Sequence, residues 1–164
     1  MMRNKHGILF AIRYSSHIHK PKWVIITTQY QAMTPCKILI IDDDTDDVVI
    51  LADAFKSSGV DGVHYVYSAM EAFMYLEEVL NKFELPRLIV TDMYLPGING
   101  HEFLTDLKAM EPYKHIHVIV LSSHKSEREI EKARQLGALD YLIKPFTYAE
   151  YQKVAANISS KADL

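Results

Sequence analysis

From residue 37 onward the chain alternates short apolar runs with longer segments of helical period, and this alternation constrains the fold more than any other feature. It is the pattern of an α/β domain on a parallel sheet, where each strand is followed by a crossover helix. Strand candidates stand at 37–41, 63–67, 87–91, 117–121 and 139–143. Three of them are almost unbroken apolar runs, as strands covered on both faces should be. With 164 residues, 49% of them apolar, the chain has material for one such core and is short for two.

The helices carry local signals. Ser68-Ala-Met-Glu71 reads as a capping box, and Ala72, Phe73, Leu76, Val79, Leu80 and Phe83 follow on one stripe. Thr147-Tyr-Ala-Glu150 is a second box just beyond Pro145. Gly137 should end a helix running from about 126 to 136. The other two helices are expected to begin near Asp44 and Gly100.

Residues 1–32 stand outside the alternation, and only 24–28 looks like a strand. The segment holds Arg3, Lys5, Arg13, Lys20 and Lys22 and no acid. Met33, a few residues before the first core strand, points to a native start there, with an over-extended reading frame upstream. A disordered basic arm and a strand added to the sheet edge are the competing readings, and the sequence does not choose among them. The expected organisation is therefore a basic N-terminal extension, 1–32, and one domain, 33–164.

The net charge is −3, so the remainder holds 13 basic against 21 acidic residues, or −8. Phosphate binding needs clustered Lys and Arg, so an acidic body argues against a broad nucleic-acid surface, and direct DNA binding is not expected, while the basic segment alone could still touch a polyanion. No apolar run approaches the roughly 18 residues of a membrane span. The one cysteine, Cys36, rules out an internal disulfide and reads as a small residue entering the first core strand. A cytoplasmic location is the expectation.

The chemistry lies at the strand ends. The first strand runs into Asp42-Asp43-Asp44 and the third into Thr91-Asp92. In an open parallel sheet ligands sit beyond the carboxyl ends of the strands, so Asp42, Asp43 and Asp92 can converge there. Their mutual repulsion would be relieved by a divalent cation, and an all-oxygen site with few protein ligands suits Mg²⁺. Asp44, Asp46 and Asp47 read instead as acids that cap the next helix and complement its dipole. The fourth strand ends in Ser122-Ser123 and the fifth in Lys144-Pro145-Phe146. Acid, acid, hydroxyl and ammonium at successive strand ends suit phosphoryl transfer, with metal and ammonium offsetting charge while a carboxylate attacks phosphorus.

Other readings of these residues fit less well. An EF-hand loop beginning at Asp42 would need glycine near 47 and glutamate near 53, where Asp47 and Asp53 stand. A dinucleotide fold would need a glycine-rich turn where this chain has carboxylates. A Mg²⁺-dependent phosphatase with an aspartate nucleophile would need a second acid close after Asp92, and position 94 is tyrosine.

Four motifs, Ile-Leu-Ile-Ile-Asp42-Asp43-Asp44, Val-Thr-Asp92-Met-Tyr-Leu-Pro96-Gly-Ile-Asn-Gly100, Val-Leu-Ser122-Ser123 and Tyr141-Leu-Ile-Lys144-Pro145-Phe146, resemble the response-regulator receiver domains of two-component signalling. The resemblance covers residues 36–158. Asp92 precedes Ser122 by 30 residues and Ser122 precedes Lys144 by 22, the spacing of that family. It implies a flavodoxin-like, doubly wound sheet of five parallel strands in order 2-1-3-4-5 with five helices. It also implies that Asp92 is the phosphoacceptor, that Asp43 and Asp92 ligate Mg²⁺ directly, that Asp42 acts through metal-bound water, and that Tyr94 adds its backbone carbonyl. Ser122 would bond the incoming phosphoryl group, Lys144 would pair with it, Tyr141 would be the switch aromatic, and the bond before Pro145 would be cis.

The same resemblance makes the chain a signalling switch rather than an enzyme, with a sensor histidine kinase or a histidine phosphotransfer protein as donor and another protein as target. A phosphorylation-independent docking module is the alternative, and homodimerisation stays open. Tyr94 and His124 are bulky at positions that flank the phosphoryl group in this family, and Ser122 stands where threonine is common. The long stretch 78–87 is similar to receivers that partner phytochrome-type kinases. Only Lys161 to Leu164 follow the last expected helix, so output is expected through a separate protein as relay intermediate, target regulator or phosphate sink.

Overall fold

The structure, a computed structural model, describes residues 10–14, 22–26, 36–82 and 84–162, and divides the chain into two units, Met1–Thr34 and Pro35–Leu164. In the first unit β1 (Phe10–Tyr14) and β2 (Lys22–Ile26) pair antiparallel, with Phe10 opposite Ile26 and Tyr14 opposite Lys22. The sequence offered one strand here, beginning at Val24. A single strand leaves its backbone donors and acceptors without partners, and the pairing of β1 with β2 supplies them. Met33, where a native start was expected, lies outside the described residues.

The second unit alternates β3 (Ile38–Ile41), α1 (Thr45–Ser57), β4 (Val63–Val66), α2 (Ala69–Leu80), β5 (Leu88–Thr91), α3 (Gly100–Ala109), β6 (His117–Ser122), α4 (Glu127–Gln135), β7 (Asp140–Ile143) and α5 (Tyr148–Lys161). Its five strands are all parallel in the order β4-β3-β5-β6-β7, the expected 2-1-3-4-5. No described helix is long and apolar enough to cross a membrane.

Every side chain of β3 and of β5 is buried, because successive residues of a strand face opposite sides and helices cover both. Ile38, Ile40, Leu88 and Val90 join Leu51, Phe55, Tyr151 and Ile158 of α1 and α5. Leu39, Ile41 and Ile89 face the other way, onto Leu76 of α2 and Phe103 and Leu107 of α3. Each such aliphatic side chain contributes about 1.5–3 kcal/mol by leaving water.

Caps set where the helices begin. Asp44 accepts from the backbone N–H groups of Asp46 and Asp47 and starts α1, as its type at that position suggests. Thr147 and Glu150 form the expected reciprocal box. Ser68 accepts from Glu71 N–H, but the Glu71 carboxylate reaches past Ser68 to the N–H of Tyr67, so that box closes one residue further out. Asn99 and Glu102 make a box at α3 that was not anticipated. Gly137, at φ +92°, follows α4 in the left-handed conformation that costs glycine little. Phe83, expected to close the α2 stripe, lies outside the described residues.

Candidate functional site

Strand register brings the site together. Ile41 pairs with Thr91, so the next residues, Asp42 and Asp92, leave the sheet side by side. Ser122 pairs with Ile143, which places Lys144 one step beyond the same edge. Asp42 and Asp92 are 5% and 8% exposed, Ser122 is fully buried, and Asp43 stands open to solvent.

Lys144, itself buried, is the hub. Its Nζ lies 2.7 Å from Asp42 Oδ2, 2.8 Å from Asp47 Oδ2 and 3.2 Å from Asp92 Oδ2. Burial pushes the Asp42 carboxyl up to about 6, against the pull of Lys144. Burial also opposes charge on Lys144, but hydrogen bonds to Asp42 and Asp47 outweigh it and hold the ammonium above the usual lysine range. For Asp47 burial is again outweighed, by Lys144 and by the Tyr151 hydroxyl, and its carboxyl is held below the usual range. The other Asp92 oxygen, Oδ1, accepts the N–H of Met93.

Carboxylate oxygens of Asp42, Asp43 and Asp92 can lie within 4.8 Å of one another. A cluster of hard oxygen donors carrying more negative charge than one ammonium can offset fits a divalent cation of the Mg²⁺ kind.

The loop between β6 and α4 closes one side. Tyr141 is buried and its hydroxyl donates to the backbone carbonyl of His124 at 2.9 Å, while Ser122 Oγ accepts from His124 N–H at 3.5 Å. Tyr94, 48% exposed, lays its ring against that of His124, centroids 4.6 Å apart, and donates its hydroxyl to Glu129 of α4 at 2.6 Å. Beside that carboxylate the Tyr94 hydroxyl is pushed up to about 12. Opposite, α3 begins against the backbone of Asp92, and a β-carbon on Gly100 would stand 2.6 Å from the Asp92 carbonyl oxygen.

Two expectations need correction. The bond before Pro145 is trans, as are all described peptide bonds. Trans is the intrinsic preference even before proline, by about 0.5–1 kcal/mol. Asp47 was read with Asp44 and Asp46 as a capping acid, yet both its oxygens are spent on tertiary partners, Lys144 and Tyr151. The signal for Asp47 was its place on the first turn of the helix that follows the Asp42-Asp43 pair. Helical side chains there lean back toward the N-terminus, and so toward the strand ends. Tyr151 and Glu129 were also missed, because their partners are more than 30 residues away in sequence.

A family model described as the response regulator receiver domain matches residues 38–156, and the chain belongs to that family, the receivers of two-component systems. Among its relatives, sporulation initiation phosphotransferase F of Bacillus subtilis is 31% identical over 114 residues, covering 70% of this chain and 86% of that protein. Among solved structures, the phosphorylated cyanobacterial phytochrome response regulator RcpA is 26% identical, with a TM-score of 0.68 over 77% of this chain and 93% of that one. The Mn²⁺-bound form of response regulator Rcp1 is also 26% identical, with a TM-score of 0.62 over 75% and 91%.

Proposed function

We propose that this receiver is a phosphorylation-driven switch whose phosphoacceptor is Asp92. The observation that carries the reading is the convergence of Asp42, Asp43, Asp92, Ser122 and Lys144 at one edge of the sheet. A carboxylate oxygen of Asp92 attacks the phosphorus of a phosphohistidine; the P–N bond breaks and its electron pair returns to the imidazole. Lys144 then pairs with a phosphoryl oxygen and the Ser122 hydroxyl donates to another. Asp43 and Asp92 would hold Mg²⁺ directly, with Asp42 acting through water and Tyr94 through its backbone carbonyl; when bound, the ion offsets charge on the phosphoryl oxygens. Binding of a metal by Rcp1 and the phosphorylated state of RcpA support this assignment by similarity.

The new dianion draws Ser122 and the loop carrying His124 inward, and Tyr141, bonded to that loop, moves with it. The face of α4, β7 and α5, with Leu139, Ile143 and Phe146 exposed, then presents a changed surface to a protein target. The proposed donors are a sensor histidine kinase, of the phytochrome type on the RcpA similarity, or a histidine phosphotransfer protein. Output by protein contact rather than by DNA, and a cytoplasmic setting, complete the reading.

Intact-mass spectrometry after incubation with acetyl phosphate and Mg²⁺ tests it. The expected result is a gain of one phosphoryl group, about 80 Da, that needs Mg²⁺ and is absent from Asp92→Asn. A folded wild type that gains nothing, beside a related receiver that does, would instead make the chain a phosphorylation-independent docking module.

A further inference from the structure

A fourth carboxylate, Asp47, reaches the site from α1, and a tyrosine of α5 holds it there. Asp47 Oδ1 accepts the Tyr151 hydroxyl at 2.7 Å, and Asp47 Oδ2 meets Lys144 Nζ at 2.8 Å. Tyr151 is buried in the core cluster with Ile38, Leu51, Phe55 and Ile158, so the position of its ring is set by the core.

An ammonium has three N–H donors, and here they face three carboxylates, those of Asp42, Asp47 and Asp92. On the phosphoacceptor reading, which this inference rests on, two of those partners change during turnover. Asp92 becomes the acyl phosphate, and Asp42 belongs to the acid group that can take a cation. Asp47 is outside that group, and both its oxygens are already engaged. It is the one partner of Lys144 that can stay in place while the ammonium swings its other donors onto phosphoryl oxygens.

We infer that Asp47, locked by Tyr151, is a positioning residue that anchors Lys144 throughout phosphoryl transfer and so ties α1 and α5 to the phosphorylation site. Loss of the anchor leaves Lys144 free to settle on Asp42. The ammonium is then displaced from the reacting oxygens, an error of the size that costs about ten- to a hundredfold in rate.

The test uses the full chain and three variants, Asp47→Asn, Tyr151→Phe and the double variant, with acetyl phosphate and Mg²⁺. Tyr151→Phe keeps the buried ring and removes only the hydroxyl. Both single variants are expected to slow phosphorylation, and the double variant is expected to be no slower than Asp47→Asn, because the hydroxyl acts only through the carboxylate. Calorimetric Mg²⁺ affinity should change far less than the rate. In ¹⁵N-lysine NMR the Lys144 ammonium should give a slowly exchanging signal in the wild type that broadens in both single variants. A Tyr151→Phe chain with wild-type rate and an unchanged signal overturns the inference. So does a Mg²⁺ affinity that falls in Asp47→Asn as far as the rate does, which would make Asp47 a metal ligand. If the wild type itself takes no phosphoryl group, the phosphoacceptor reading fails, and the ammonium signal alone still decides whether Asp47 and Tyr151 hold Lys144.

Discussion

The Tyr94 hydroxyl donates to the Glu129 carboxylate at 2.6 Å, so the loop two residues beyond Asp92 is bonded to the first turn of α4. The Tyr94 ring also lies on His124, whose carbonyl accepts from Tyr141. One contact thus joins the acidic crevice to a helix of the proposed output surface.

Tyr94→Phe should keep the ring contact and lose the tie to α4. The expected consequence is easier approach of water to the phosphorylated Asp92 and a phosphoryl lifetime shortened several-fold, with an unchanged unfolding midpoint because the bond is exposed. Phosphate release after removal of the donor measures it; a lifetime equal to that of the wild type would show that the tie does not gate water.

Gly100→Ala should destabilise the domain. Its β-carbon would stand 2.6 Å from the Asp92 carbonyl oxygen and 2.8 Å from Met93 Cα, both backbone atoms that cannot turn aside. The start of α3 must back away, at a cost of about 1–3 kcal/mol, read as a lower urea midpoint together with slower phosphorylation.

Lys144→Met removes the ammonium that Asp42, Asp47 and Asp92 share. In EDTA the variant should lose about 3 kcal/mol, the low end for a broken buried ion pair, since the crevice is open to water at Asp43. Added Mg²⁺ should raise its melting temperature more than that of the wild type. An equal rise in both would show that the cation does not relieve these acids.

The pH dependence has a definite sign. Asp42, raised from 3.8 to about 6 chiefly by burial, holds its proton more tightly folded than unfolded. The stability this brings is complete below the unfolded value and is lost as pH rises through about 6. Asp47, held low, contributes in the opposite sense, and its stability is lost only at more acid pH. In EDTA, lowering pH from 7 to 5 should therefore stabilise the wild type relative to Asp42→Asn by about 1 kcal/mol. Urea midpoints of the two chains at both pH values check this, and parallel curves would contradict it.

Much of the molecule was legible in the sequence because it depends on local period and side-chain type. The apolar runs that became β3, β5 and β6 announced a covered parallel sheet, and Thr147 with Glu150, Asp44 and Gly137 marked helix ends through interactions no longer than one turn. The order of acids, hydroxyl and lysine at strand ends placed Asp42, Asp43, Asp92, Ser122 and Lys144 at one edge, since parallel strands deliver all their carboxyl ends to the same side.

What the sequence could not supply was which side chains share an atom there. Asp47 looks like any acid in a first helical turn until α5 packs on α1 and brings Tyr151 to it. The ties of Tyr94 to Glu129 and of Tyr141 to His124 likewise exist only once α4 and β7 are docked. Period and capping are properties of neighbouring residues and can be read along the chain. The division of one ammonium among three carboxylates depends on separations of a few ångströms between distant segments, and only the packed tertiary structure decided it.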